Sequence, residues 1–211
     1  VNTPSAPKPP SQQRSRETLA RIVSATERLL HDRNFEEITV AEIAKTAHSS
    51  VGSFYARFED KDALLDYLDI VHAEKLIERI TEYSEDERWQ GAHIEELVRE
   101  VIRFLIGFFK EHKGLLRALT VRARLTDEPR FAEVTRRVNN RVPELIRLVL
   151  SRRSEIAHPS PDQAVYLGFV MILSTLRERL LFPEAYPTQL PISDSLLADE
   201  LQHAYLAYLG V

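Results

Sequence analysis

The chain has 211 residues, with 28 Lys plus Arg against 32 Asp plus Glu, a formal net charge of −4, 6 Gly and no Cys. That length holds one domain or a small one joined to a larger; the missing thiols exclude a disulfide scaffold, a thiolate nucleophile and Cys-ligated metal; so few glycines disfavour a many-stranded β fold. The acidic balance leaves any nucleic-acid function to a local patch, no apolar run reaches the roughly 18 residues of a membrane span, and the polar start is no secretory signal, so a cytoplasmic protein with no membrane partner is expected.

Residues 1–15 hold four Pro and almost nothing apolar, which predicts a disordered arm. Its charges are Lys8 and Arg14, with Arg16 just beyond and no acid; it reads either as a solvated tail or as a basic arm touching phosphates. Leu19, Ile22, Val23, Thr26, Leu29 and Leu30 recur at helical spacing and predict a helix over 16–32, with Asn34 after it and Phe35 and Ile38 folding back. Thr39 stands three residues before Glu42, the spacing of a capping box, so a short helix over 40–46 follows, Ile43 and Ala44 inward. After a turn at Ala47 and His48, Ser49 or Ser50 caps another short helix carrying Val51, Phe54 and Tyr55. Asp60 caps the next, from Lys61 through Leu64, Leu65, Leu68, Val71, Leu76, Ile77 and Ile80.

Residues 83–92, with the acidic run Glu85-Asp86-Glu87, read as a solvated loop. A helix over 93–112 carries Leu97, Val101, Phe104, Leu105, Phe108 and Phe109; Gly114 is expected to break it before a shorter helix over 115–125, which Pro129 closes off. Phe131, Val134, Val138, Val142, Leu145 and Val149 mark a helix bent at Pro143. Ser160-Pro161-Asp162-Gln163 is a helix start with Ser as N-cap and Pro at N1. That helix runs to about Phe182 and is apolar over most of its girth, so it must be covered on more than one side. Pro183, Pro187 and Pro191 make a stiff linker, and Ser193 caps a last helix bearing Leu196, Leu197, Leu201 and Tyr205, closed by Gly210. No strand is expected: the fold class is all-α.

Two very short helices joined by a tight turn, after a longer one, make a helix-turn-helix candidate. The residues sharpen it. Thr39-Val40-Ala41-Glu42-Ile43-Ala44, then Val51-Gly52-Ser53-Phe54-Tyr55-Ala56-Arg57-Phe58, then Lys61-Asp62-Ala63-Leu64-Leu65 resemble the DNA-binding domain of the TetR family of transcriptional regulators. The resemblance covers about Glu17 to Leu68, a quarter of the chain. It implies a DNA-binding domain at 16–62 and a larger helical ligand-binding and dimerisation domain at 63–211. It also implies a homodimer, a double-stranded DNA operator and a small-molecule effector as partners, with a repressor's role.

The residues expected at the DNA are Thr39, Ser49, Ser50, Val51, Gly52, Ser53, Tyr55, Arg57 and Lys61. Thr39 marks a helix N-terminus, where hydroxyl and amides hold a phosphate. Ser50, Val51 and Ser53 occupy positions that enter the major groove in helix-turn-helix proteins, and Ser49 adjoins them. Gly52 allows close approach, and the Tyr55 hydroxyl reaches for a phosphate. Lys61 resembles the family's phosphate-contacting lysine, and its other reading is a solvated surface residue. Arg57 reaches backbone or base, or pairs with Glu59 or Asp60. Where the family usually has Gly in the turn, this chain has His48, at a position that needs positive φ and that His tolerates better than most.

In the larger domain the helices over 162–182 and 194–209 are expected to pair with their mates in a four-helix bundle. A cavity is expected among Leu68, His72, Phe104, Phe108, Leu119, Phe131, Tyr166, Phe169 and Val170, with Thr120, Asn139, Asn140 and Ser174 as polar points. That lining suits a hydrophobic or aromatic effector, and the same aromatics also read as plain core. No cofactor, metal or enzymatic activity is expected: there is no His-x-x-x-His pair, glycine-rich phosphate loop or nucleophile elbow. The competing reading is an all-α small-molecule binding protein with a degenerate helix-turn-helix.

Overall fold

The computed structural model describes residues 11–125, 142–185 and 192–211, and all regular structure among them is helical. The expectations at Pro129, Phe131, Val134, Val138, Asn139, Asn140, Pro187 and Pro191 lie outside the described residues, as does most of the N-terminal arm. The chain divides into two compact units, one ending at Leu68 and the other beginning at Asp69.

The first unit contains α1 (Ser11–Asp32), a 3-10 turn (Phe35–Glu37), α2 (Val40–Thr46), α3 (Val51–Tyr55) and the start of α4 (Lys61–Glu85). α1 begins at Ser11, five residues before the expected 16, because the polar residues there find local partners. Gln13 donates to Glu17 at 3.3 Å and Thr18 Oγ1 to the Arg14 carbonyl at 2.9 Å. Helices of 7 and 5 residues fall far below the roughly 12–15 an isolated helix needs in water, so packing must hold them. Ile22, Ala25, Phe35, Ile38, Ile43, Phe54, Leu64, Leu65 and Leu68 are buried together with Phe58 and Ala44, at about 1.5–3 kcal/mol for each large side chain. Thr26, also fully buried, returns its hydroxyl to the Ile22 carbonyl at 2.8 Å.

In the second unit α5 (Ile94–Glu111) packs against α7 (Val142–Leu150), α8 (Pro161–Leu176) and α9 (Asp194–Leu209). The shared core includes Val98, Val101, Ile102, Leu105, Leu145, Val149, Val165, Phe169, Ile172, Leu176, Tyr205 and Leu209. Tyr205 lies flat on Gly168: a Cβ there would stand 2.0 Å from its Cε2. The Tyr205 hydroxyl donates to the Val165 carbonyl at 2.9 Å, and burial pushes its pKa up.

Four local expectations need correction. The break after α5 falls at His112 (φ −113°, ψ 18°), and Gly114 lies inside α6 (Lys113–Leu125), where a glycine one step into a helix is tolerated. Ser160 makes no side-chain cap; Pro161 alone starts α8, and the Ser160 amide donates to His158 Nδ1 at 3.1 Å. α8 ends at Leu176 and continues as a π-helical turn over Arg177–Leu181. The carbonyl of Leu181 accepts from Arg117 at 2.6 Å, while Arg117 and Arg124 stack over the Phe182 ring at 4.9 and 5.4 Å. The stretch read as a solvated loop has α4 running to Glu85 and a 3-10 turn (Glu87–Trp89) that buries Trp89. Its indole donates to the Tyr83 carbonyl at 2.6 Å, and Arg152 holds the Trp89 and Ala92 carbonyls.

The caps at Asp60, Ser193 and Gly210 are where the sequence places them: Asp60 accepts from the Ala63 amide at 2.7 Å, Ser193 from the Leu196 amide at 3.2 Å, and Gly210 is left-handed at φ 74°. Among the described residues no helix is long and apolar enough to cross a membrane.

Candidate DNA-binding surface

The turn between α2 and α3 is built by backbone bonds. The His48 amide donates to the Lys45 carbonyl at 3.1 Å and the Ser49 amide to the Ala44 carbonyl at 2.9 Å, the paired bonds of a Schellman motif, which places its pivotal residue in the left-handed region. That residue is His48, at φ 49°, the single non-glycine with positive φ among the described residues. Ser49 follows the pivot, where the chain packs back on the helix, and its hydroxyl is buried without a hydrogen-bond partner. Its hydroxyl therefore faces inward, although the residue as a whole is half-buried. Ser50 is the cap: its Oγ accepts from the Ser53 amide at 3.0 Å and stands 2.9 Å from Ser53 Oγ.

Phe54, fully buried, pins the inner face of α3 and stacks on Phe58 at 5.5 Å. The opposite face presents Val51 and Tyr55, 41% and 54% exposed. Gly52 lies between them, exposed; a Cβ there would meet only Ser50 Oγ, at 3.8 Å. A helical glycine costs up to about 1 kcal/mol against alanine, and nothing inside the chain requires this one. Ser50, Val51, Gly52, Ser53 and Tyr55 thus come together on one small, nearly uncharged face.

The remaining expected residues are turned to other partners. Thr39 and Glu42 form the full capping box: Thr39 Oγ1 accepts from the Glu42 amide at 3.2 Å, and the Thr39 amide donates to Glu42 Oε2 at 2.8 Å. The Glu42 carboxylate thereby accepts from Thr39 at the start of α2. The Arg33 guanidinium, 2.7 Å from Glu42 Oε1, followed by the Thr39 bonds, lowers its pKa to about 2. Arg57 pairs with neither Glu59 nor Asp60. It donates to the Ser53 carbonyl at 2.6 Å and to Ser15 of α1 at 3.2 and 3.3 Å, tying the end of α3 to α1. Lys61 Nζ donates to the carbonyls of Phe35, Ile38 and Glu36 at 2.7, 3.0 and 3.2 Å and stands 4.5 Å from the centre of the Phe35 ring.

Sequence reasoning missed a set of arginines that does the same at other chain ends. Arg21 and Arg28 of α1 donate to the Ala47 and Thr46 carbonyls at the end of α2, and Arg33 to the Glu37 carbonyl at 2.6 Å. Cations favour such orphan carbonyls, but their positions in the sequence carry no periodic signal.

The residues expected to line a cavity separate into groups. Phe108 and His72 each stack on the His112 ring at 4.8 Å, and Arg79 stands over Phe104 and Phe108. Leu68, Phe108, Leu119 and Phe169 are buried. Tyr166 is 60% exposed and Val170 41%, four residues apart on one side of α8. Among the described residues a cleft of about 260 Å³ opens over Arg79, Glu82, Tyr83, Asp86, Arg88 and Phe104. A surface trio, His93, Glu95 and Glu155, brings possible ligand atoms within 4.8 Å of one another. Its Glu155 carboxylate already accepts from the Ile94 amide at 3.0 Å and lies 3.9 Å from Arg152, so it is accounted for as a helix cap.

The chain thus carries a helix-turn-helix followed by a larger helical unit. Residues 22–68 match the family model for bacterial regulatory proteins of the tetR family. The fold is shared with a TetR-family transcriptional regulator from Streptomyces coelicolor (18% identity, 92% of this chain and 80% of that one, TM-score 0.66). A transcriptional regulator from Rhodococcus sp. Rha1 is similar over 91% of this chain and 96% of its own (20% identity, TM-score 0.66). The transcriptional regulator FadR from Bacillus subtilis, solved in complex with stearoyl-CoA, is similar over 90% and 98% (17% identity, TM-score 0.59). No curated protein matches the sequence. The match to the tetR-family model lies within the first unit, and the chain as a whole shares the fold of these regulators.

Proposed function

We propose that the protein is a ligand-responsive transcriptional regulator that binds a double-stranded operator as a homodimer through α3, and that a small hydrophobic or aromatic effector releases it, as in a repressor. The observation that carries the DNA reading is Gly52. It sits exposed on the outer face of α3, flanked by Val51, Ser53 and Tyr55, with only Ser50 Oγ near the position of a Cβ. A helix this short gives up stability at that residue, and the reason must lie outside the chain. A groove wall or phosphate backbone approaching Gly52 supplies one. Val51 is then placed for a thymine methyl and the serines for base edges or phosphates.

The small side chains of α3 favour modest recognition per half-site, so a dimer doubling the contact fits them. Tyr166, Leu167, Val170 and Met171 stand exposed on α8 at the spacing of a single helical stripe. Monomeric proteins seldom leave so contiguous an apolar patch uncovered. That stripe supports pairing through α8, whereas on α9 the residues Leu197 and Tyr205 are already buried within the chain. The effector class rests on the apolar second unit, and the acyl ligand bound by the FadR neighbour makes fatty acyl thioesters the first compounds to screen.

The experiment selects duplexes from a random-sequence pool and compares the unmutated protein with Gly52→Ala. The variant is expected to be more stable by up to about 1 kcal/mol and to bind the selected duplex at least tenfold more weakly. Unchanged binding by Gly52→Ala, or a pool that yields no preferred sequence, would defeat the reading and favour a binding protein that has lost its DNA function.

A further inference from the structure

We propose that Lys61 is a positioning residue: an ammonium clamp that fixes the turn before α2 against the start of α4, with no phosphate contact of its own. The inference rests on the DNA-binding reading above and departs from the role its family resemblance implies. An ammonium has three N–H donors. In Lys61 the three acceptors are the carbonyls of Phe35, Glu36 and Ile38, at 2.7, 3.2 and 3.0 Å, and the ring of Phe35 faces the charge at 4.5 Å. The fourth carbonyl of the turn, that of Glu37, is taken by Arg33 at 2.6 Å. Four successive carbonyls, from Phe35 to Ile38, therefore point at two cations. Those of Glu36, Glu37 and Ile38 lie at the end of the 3-10 turn, and that of Phe35 also accepts from the Ile38 amide at 3.2 Å. The Lys61 bonds to Phe35 and Ile38 are partly buried, where an unpaired carbonyl is costly, and the bonds at Glu36 and Glu37 are exposed.

The consequence is positional. Thr39, the N-cap of α2, follows directly on Ile38, and Arg33 also holds Glu42 of the capping box at 2.7 Å. Lys61 is the first residue of α4. One side chain thus joins the beginnings of α2 and α4, and α3 follows α2 through the His48 turn. For Lys61 to reach a phosphate it would have to abandon bonds to charged-group-stabilised carbonyls, which are worth more than neutral ones. A lysine that merely decorates the surface would make none of them.

The test measures binding of the duplex selected from a random pool over a range of salt, for the unmutated protein, Lys61→Met and Lys61→Arg. A phosphate contact predicts that Lys61→Met lowers the salt slope by about 0.9 and that Lys61→Arg, which keeps the charge, binds nearly as well as the unmutated chain. A clamp predicts that the slope stays unchanged and that both variants lose the same factor, tenfold or more, at every salt, because a planar guanidinium cannot converge on three carbonyls around one point. In the free protein, the amides of Glu37 and Ile38, whose own bonds go to Asn34 and Phe35, are expected to exchange at least tenfold faster in both variants. A lowered slope, rescue by arginine, or unchanged exchange would overturn the clamp. Where Lys61→Met does not fold, the unmutated protein decides: the Lys61 ammonium resonance keeps its shift when duplex is added, and a displaced resonance would count against the proposal. If no duplex is selected at all, the DNA-binding reading falls, and the exchange rates alone judge the clamp.

Discussion

Glu42 is the residue at which the electrostatics of the first unit are most concentrated. Arg33 and both donors of Thr39 stabilise its charged form, lowering its pKa from 4.5 to about 2. Between those values the unfolded chain binds more protons than the folded one, so stability rises with pH there. The contribution is complete above about 4.5 and is lost as pH falls through about 2. A carboxyl-detected titration is expected to show Glu42 ionised down to about pH 2. Glu42→Gln is expected to flatten the melting-temperature profile of the first unit between pH 2 and 4.5; a profile parallel to that of the unmutated protein would remove Glu42 from the network.

At the scale of elements, α8 and α9 meet through a contact with no slack. Tyr205 closes on Gly168 and bonds the Val165 carbonyl, so a methyl group at Gly168 must displace the ring and break that bond. Gly168→Ala is expected to cost about 2–4 kcal/mol, combining overpacking with a lost buried hydrogen bond, although alanine is the better helix former. Urea unfolding checks it, and a loss under 1 kcal/mol would mean the ring has room to move.

Elements governed by local rules were legible in the sequence: the Thr39–Glu42 box, the Asp60, Ser193 and Gly210 caps, and the strained turn at His48. Those decided by tertiary partners were not. Gly114 reads as a breaker only if the helix before it continues that far, and it stops at His112. Ser49 and Ser50 are equivalent in sequence; the backbone turn buries the hydroxyl of one and exposes the other. The destinations of Arg57 and Lys61, at Ser15 and at the Phe35 turn, lie 42 and up to 26 residues away, beyond any spacing rule. Within the candidate site, the face of α3 was legible and the clamp around it was not.

For the molecule as a whole, the exposed stripe of Tyr166, Leu167, Val170 and Met171 is the surface on which the proposed pairing is tested. Leu173 and Leu201 pack against the chain's own core, so charges there would damage the fold as well as any interface. Val170→Glu with Met171→Glu is the cleaner probe. It is expected to yield monomers of unchanged helicity, with duplex affinity reduced at least a hundredfold as the second half-site is lost. Light scattering and circular dichroism read the outcome, and a monomeric unmutated chain at micromolar concentration would contradict pairing through α8.

The left-handed turn at His48 also bears on how this protein can change over generations. Its backbone admits glycine, asparagine and aspartate more readily than other residues, and β-branched residues hardly at all. A histidine codon becomes asparagine or aspartate by a single base substitution, whereas glycine needs more than one. Aspartate would set a negative charge beside the face proposed to meet phosphates. Asparagine is therefore the open mutational exit, and lineages descending from this sequence are expected to drift at this turn between histidine and asparagine before any of them arrives at glycine.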